Sequence, residues 1–371
     1  MSAFKNIIIG AGISGAIVAR KIAEELNETV LVIDRKDHIA GNIYDCRDSK
    51  TGITVHKYGP HIFHTNIQEV WDFLSRFTEW HYFYLKPNVM IEGNPVTLPF
   101  NLTTLYEVFP SETAKRLEEK LVSKYGYGIK VPILELKNVD DEDLKFLSDF
   151  VYENVFKNYT IKQWGLKPEE IDPAVTARVP VFISRDNRYF QDKYQGIPLN
   201  GYTKMVEKIL DHPNIKVKLN TDYKDVNGEF DRIIYTGAID EFFDYKFGEL
   251  PYRSLYFDER TENREYYQKA VVTNYPNEYD FTRITEHKYF LDEKSDKTII
   301  SIEYPQKFEN GKNERYYPIS NPENQALYQK YKEEAKGIKN LFFIGRLGDY
   351  RYYNMDLAAN RALKFFKEEI K

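Results

Sequence analysis

The apolar positions at the start of the chain come first as a run and then at helical spacing. Asn6-Ile7-Ile8-Ile9 reads as a short buried strand, and Gly10-Ala11-Gly12-Ile13-Ser14-Gly15 follows at once. Ile13, Ala16 and Ile17 then recur as on one face of a helix reaching about Leu26. Thr29-Val30-Leu31-Val32-Ile33 is a second buried run ending at Asp34, which completes a β-α-β unit. From about Val70 to Phe156 the pattern turns helical and more polar. Ser111 is placed to cap a helix that carries Leu117 and Leu121 and stops at Gly126. Another helix, with Leu144, Leu147 and Val151, starts in the acidic run Asp140–Asp143, whose charge suits the positive end of a helix. Prolines at 168, 173 and 180 break the chain.

Beyond a short helix around Met205–Leu210, Ile215–Leu219 and Arg232–Tyr235 read as strands, the second running into Thr236-Gly237. Between Ser254 and Ile302 the residues alternate, as at Tyr289-Phe290 and Thr298-Ile299-Ile300-Ser301, which predicts an antiparallel sheet. Asn340–Ile344 is a last strand leading into Gly345, and Asp356 opens a final helix with Ala358, Ala359, Ala362 and Phe365.

At 371 residues the chain exceeds what one core usually serves, so two or three domains are expected. Hydrophobic residues at 42% and charged residues at 29% place it among globular proteins. One cysteine, Cys46, excludes an internal disulfide framework and fits a reducing compartment. The opening apolar run is too short for a signal peptide, and no stretch approaches the ~20 apolar residues of a membrane span, so a cytoplasmic location is expected. A net charge of −5 argues against a general nucleic-acid binder but not against a small anionic substrate held by a few arginines. The 30 tyrosines reflect either biased genome composition or rings lining a nucleotide site.

Gly-x-Gly-x-x-Gly alone is a weak signal, but here a strand precedes it and a helix follows. Gly10 allows the tight turn, Gly12 lets a pyrophosphate approach the backbone, and Gly15 lets helix and strand pack closely. The helix start offers free N–H groups to phosphate. Asp34 lies where an acid bonds the adenosine ribose. The late strand, Gly345-Arg346 and the helix near Asp356 resemble the second fingerprint of the glutathione-reductase-like FAD fold, and Thr236-Gly237 resembles its middle motif. A cofactor reaching both regions accounts for both junctions, whereas NAD needs only the first, so FAD is favoured.

Several further segments occur in one order: Tyr58-Gly59-Pro60-His61-Ile62-Phe63-His64-Thr65, Lys162-Gln163-Trp164-Gly165, Arg178-Val179-Pro180-Val181, Tyr189 to Pro198, Phe281 to Lys288, Tyr316-Tyr317-Pro318-Ile319, and Gly345 to Tyr352. Over nearly the whole chain they closely resemble the bacterial UDP-galactopyranose mutase family. The resemblance implies an α/β fold: a discontinuous FAD-binding Rossmann-type domain over 1–80, 200–245 and 335–371. It also implies a mainly helical inserted domain over 81–165 and an antiparallel β-sheet substrate domain over 166–199 and 246–334. The reaction it implies interconverts UDP-galactopyranose and UDP-galactofuranose with no net redox change. In it, N5 of the reduced flavin (FADH⁻) attacks the anomeric carbon. UDP-N-acetylgalactosamine as the preferred substrate is an alternative, and a flavin oxidase of the same fold is a more distant one.

Arg178 and Arg283 match the family's diphosphate clamp; either alone would more often be a surface ion pair, and it is the surrounding motif that points to function. The resemblance assigns Tyr189, Tyr317 and Tyr352 to the phosphates, and Tyr159, Thr160 and Trp164 to the uridine and sugar end. Asn274 matches a further UDP-sugar contact of the family; Trp164 could instead be a core residue of the helical domain. Cofactor contacts are implied at Gly10, Gly12, Ser14, Gly15, Asp34, Arg35, Asn42, His61, Ile62, Arg346, Asn354, Met355 and Asp356. His61 and His64, at helical spacing, suggest paired imidazoles, but no third ligand is evident. No metal is therefore expected, and the pair is read as pocket-shaping. Asn354 stands where many relatives carry an acid, which removes a negative charge beside the flavin. A reduced nicotinamide is the expected reductant and a homodimer the expected assembly.

Overall fold

The computed structural model describes residues 4–167 and 180–371. The chain divides into two units, Met1–Phe83, Asp192–Tyr252 and Phe308–Lys371 forming one, Tyr84–Gln191 and Arg253–Lys307 the other.

The first unit is built on a five-stranded parallel sheet. Its strands lie in the order Ile215–Lys218, Val30–Ile33, Asn6–Ile9, Arg232–Tyr235, Leu341–Phe343. Helices cover a parallel sheet on both faces, which is why its central strands read as apolar runs, whereas the edge strand Ile215–Lys218 alternates with exposed lysines. Ile8, Val30, Val32, Ile33 and Ile234 are fully buried. The helix Ile13–Lys21 continues through a wider turn, Ile22–Leu26, and ends at Asn27 with φ of 52°. It packs against Met355–Phe365 and Tyr202–Leu210. Ala16, Ala19, Ala359 and Ala362 are buried at these crossings, and their small side chains let the helices approach. A smaller antiparallel sheet orders Phe63–Thr65, Tyr194–Pro198 and Trp80–His81.

The second unit combines a helical bundle with a mixed sheet. Its strands run in the order Tyr252–Glu262, Thr298–Lys307, Arg283–Glu286, Val272–Asn274, Asn88–Ile91, Asn94–Thr97. Only the pairing of Val272–Asn274 with Asn88–Ile91 is parallel among those described. The helices Leu102–Val108, Ser111–Tyr125 and Glu142–Val151 enclose a core that includes Leu117, Leu121, Leu144 and Leu147. Asp141 caps the last of these by accepting the Leu144 N–H at 3.0 Å.

Three local expectations change. Ser111 is the first residue of its helix, and Pro110 occupies the cap without a side-chain bond. Inside the stretch read as helical, Asn88–Ile91 and Asn94–Thr97 form a hairpin, turned at Glu92 and Gly93 with φ of 49° and 78°. Tyr289-Phe290 lies in a short 3-10 turn, His287–Leu291, instead of a strand.

Leu121 is completely buried in the bundle core. Leu121→Ala is expected to cost about 2–5 kcal/mol, read as a lowered urea midpoint at unchanged slope.

Candidate functional site: a dinucleotide cavity and an anchored arginine

The first strand–helix junction leaves no room for side chains. A Cβ on Gly15 would stand 2.0 Å from the Gly10 carbonyl oxygen, and one on Gly10 would stand 1.9 Å from the Thr236 hydroxyl. Gly10 also has φ of 112°, open to glycine alone. Gly12 faces Gly41 across a bridge to Ala40, and a Cβ on Gly41 would come within 3.1 Å of the Gly12 Cα. The backbone is therefore bare where the strand becomes a helix.

A cavity opens at this point. Gly10, Gly12, Ser14, Gly41 and Asn42 line it from one region of the chain, and Gly345, Arg346, Asn354, Met355 and Ala358 from the other. Ser14 Oγ donates to the Ala358 carbonyl at 3.5 Å, and a Cβ on Gly345 would lie 3.3 Å from Ser14 Oγ, so the two regions meet there. The helices Ile13–Lys21 and Met355–Phe365 both begin without a side-chain cap, and the first has no acid in its opening turn. Uncapped amides with the positive end of the helix dipole, beside bare glycines, suit a pyrophosphate.

Of the expected cofactor residues, Gly10, Gly12, Ser14, Asp34, Arg35, Asn42, His61, Arg346, Asn354 and Met355 line the cavity. Gly15, Ile62 and Asp356 are not on its wall: Gly15 packs beneath Gly10, and Ile62 is buried. Asp34 accepts the Ala11 N–H at 2.8 Å through one carboxylate oxygen and the Lys36 N–H at 2.9 Å through the other. The Asp356 carboxyl is held above the usual range by burial and by the nearby Asp192, against the pull of the Leu357 N–H, His64 and Thr65.

His61 and His64 are not on a helix. His61 sits in the loop before the strand Phe63–Thr65, and His64 lies in that strand, with Nδ1 2.8 Å from Asp192 Oδ2. Among the described residues no group of His, Cys, Asp and Glu could hold a metal ion. The His61 N–H donates to His56 Nδ1 at 3.1 Å, and its carbonyl accepts the buried Tyr202 hydroxyl at 3.1 Å. His56, 2% exposed, thus braces the loop from behind. Two bonds that no spacing in the sequence signals fix the backbone of His61.

Arg346 donates to the carbonyls of Tyr353 at 2.6 Å and Tyr316 at 3.2 Å. Its guanidinium lies 5.4 Å from the Tyr317 ring and 5.6 Å from Tyr352, and those two rings stack at 5.3 Å. This cation–π cluster fixes two of the expected phosphate tyrosines beside a cavity residue.

In the second unit, Tyr159, Thr160 and Trp164 ride on the helix Lys157–Trp164. Thr160 is buried; Tyr159 and Trp164 are half-buried. Arg253 ties down the end of this helix, its Nε 2.9 Å from the Gln163 carbonyl and an Nη 3.0 Å from that of Lys162. These are carbonyls the helix cannot satisfy itself. Asn274, closing the strand Val272–Asn274, has a buried Oδ1 without a hydrogen-bond partner. Tyr189 packs against the helical core and edge-on to Phe190 at 5.0 Å. Arg283 meets Glu303, 1% exposed, through Nε at 2.7 Å and Nη2 at 2.6 Å. Glu303 therefore sets the direction of the arginine, and it was not evident from sequence. Arg178 lies outside the described residues.

The parallel sheet, glycine junctions and uncapped helices define a dinucleotide-binding protein of the Rossmann kind. A model of the NAD(P)-binding Rossmann-like domain matches residues 8–77, and a UDP-galactopyranose mutase model matches residues 154–352. A Klebsiella pneumoniae protein named "Probable UDP-galactopyranose mutase" is 39% identical, over 97% of this chain and 93% of its own. An Escherichia coli dTDP-fucopyranose mutase is 37% identical, over 97% of both chains. A crystal structure of a reduced UDP-galactopyranose mutase superposes with a TM-score of 0.73 at 15% identity, covering 98% of this chain and 93% of that one. The chain belongs to the UDP-galactopyranose mutase family of enzymes. Among the described residues no helix is long and apolar enough to cross a membrane.

Burial pushes the His56 imidazole down to about 3 from its ordinary 6.5. The unfolded chain takes up this proton below about pH 6.5 while the folded protein refuses it. Stability is therefore full above pH 6.5 and falls as pH drops towards 3, by about 2 kcal/mol at pH 5 from this group. Denaturation midpoints at pH 7.5 and pH 5 should separate in the native chain, and His56→Asn should narrow the gap.

Proposed function

We propose that the protein binds FAD in this cavity and interconverts UDP-galactopyranose and UDP-galactofuranose. The observation that carries the cofactor reading is that glycine-bounded strand–helix junctions from two distant regions of the chain line one cavity. Gly10, Gly12, Ser14 and Asp34 would hold the adenosine and pyrophosphate half; Arg346, Asn354 and Met355 would hold the flavin half. When bound and reduced, the flavin supplies a nucleophilic nitrogen for the anomeric carbon, so the protein need not furnish a nucleophile of its own. Family membership supports the reaction.

The chain's own part is to bind and orient a diphosphate that must leave and return. Arg178 and Arg283 match that charge with planar donors that stay protonated at any working pH. Their attraction is greatest as charge gathers on the departing phosphate. Tyr189, Tyr317 and Tyr352 add hydroxyl donors. Tyr159, Thr160, Trp164 and Asn274 hold the uridine and sugar, and the unpartnered Asn274 Oδ1 is an acceptor suited to a hydroxyl or N–H. Asn354 stands at the cap position of the last helix as a neutral residue, so the one acid in its opening turn is Asp356. A reduced nicotinamide as reductant, a homodimeric assembly and a cytoplasmic location complete the reading.

A second reading keeps the ring contraction and changes the sugar nucleotide. The relative named dTDP-fucopyranose mutase, nearly as similar as the relative named for UDP-galactopyranose, favours it.

Purified protein incubated anaerobically with UDP-galactofuranose should form UDP-galactopyranose with dithionite and none without it. UDP-N-acetylgalactosamine and dTDP-fucose run in parallel decide the sugar nucleotide, and no conversion of any of them would overturn the mutase reading. Arg283→Lys keeps the charge but loses the fork. It should lower kcat by about 100-fold with a smaller change in KM, measured by steady-state chromatography of the nucleotides.

A further inference from the structure

Beyond Asp34 the cavity wall carries three cations, each joined to a carboxylate. Glu241 holds two of them, accepting from Arg35 through Oε1 and from Arg315 through Oε2, both at 2.7 Å. Lys36 pairs with Glu314 at 3.2 Å. The two arginines differ in environment, the Arg315 side chain being 4% exposed and that of Arg35 51%. Arg315 also packs its guanidinium 4.4 Å from the Phe308 ring and donates to the Tyr245 hydroxyl at 3.1 Å. It is a fixed post. Glu241, on the short helix Ile239–Phe242 that follows Thr236-Gly237, transmits that rigidity outward to Arg35.

An arginine half in solvent samples many rotamers, and a carboxylate anchored from behind removes that freedom before any ligand arrives. The guanidinium held in this way offers a planar, weakly hydrated cation to a neutral aromatic base. Because these cations already have carboxylate partners, this end suits an uncharged adenosine better than one carrying an extra phosphate.

We propose that Glu241, braced by buried Arg315, is a positioning residue that holds Arg35 for the adenosine half of FAD, and that this fork underlies selection of FAD over the mononucleotide flavin. The inference rests on the cofactor reading above. Its test is to titrate apo-protein with FAD and separately with FMN, following quenching of flavin fluorescence. Arg35→Met and Glu241→Gln should each raise the Kd for FAD about tenfold, which is about 1.4 kcal/mol. The Kd for FMN should stay within about twofold, because FMN lacks the adenosine. The double variant should be no weaker than either single one if Glu241 acts through Arg35. Equal weakening of FAD and FMN would mark a merely structural role and overturn the proposal. So would unchanged FAD affinity in Glu241→Gln, or losses that multiply in the double variant. If Glu241→Gln does not fold, Glu241→Asp keeps the counter-charge for Arg315, shortens the reach to Arg35, and carries the same expectation. Failure of the native protein to bind either flavin would instead refute the cofactor reading itself.

Discussion

The contact between Gly15 and the Gly10 carbonyl sets the geometry of everything around the cavity. With only 2.0 Å from that oxygen to where a methyl group would lie, the first helix rests directly on the turn that feeds it. Any side chain there would lift the helix away from the strand, and with it the amides that face the cavity. The alanines along Ile13–Lys21 and Met355–Phe365 extend the same closeness into the layer behind the sheet. Ser14 and Gly345 then come together, so the cavity wall includes both regions of the chain. The bare backbone at the phosphate position and the seam between distant segments thus follow from one steric condition.

Electrostatics is organised by a different rule: arginines in candidate binding positions are held by carboxylates remote in sequence. Arg283 is aimed by Glu303 from the neighbouring strand, and Arg35 by Glu241 across the cavity wall. A guanidinium with one edge committed to a partner keeps donors on its remaining nitrogens and loses little freedom on meeting an anion or a ring. The arrangement trades some attraction for direction. It matters most at Arg283, where Glu303 is almost wholly buried and so cannot swing away into solvent.

The centre of the parallel sheet was legible because Asn6–Ile9 and Val30–Ile33 are covered on both faces and read as apolar runs ending at Gly10 and Asp34; at its edge Ile215–Lys218 instead alternates with exposed lysines. The hairpin of Asn88–Ile91 and Asn94–Thr97 was not, since two strands of four residues carry too few alternations to stand out among helices. Its turn, Glu92-Gly93, was the available cue. Tyr289-Phe290 misled for the opposite reason: a buried 3-10 turn can hide aromatic residues as a strand does. At the site, the glycines and Asp34 came from local spacing that a single β-α-β unit enforces. Glu241, Arg315, Glu303 and His56 act through pairings that only the folded chain creates, so no local pattern marked them. His61 and His64 had helical spacing but occupy a loop and a strand, where that spacing has no meaning.

The strand order also bears on how the molecule comes into being. Asn6–Ile9 is central to its sheet, yet its neighbour on one side is Arg232–Tyr235, beyond which only Leu341–Phe343 completes the edge. During synthesis the first β-α-β unit must wait, half-covered, for more than two hundred residues before that neighbour leaves the ribosome. The helix that covers the first one arrives later still. Pairings of such high sequence separation carry a large loop-closure cost, which slows folding in general. A cavity walled by Gly10 and Gly12 on one side and by Gly345 to Ala358 on the other is therefore complete only after nearly the whole chain has been made.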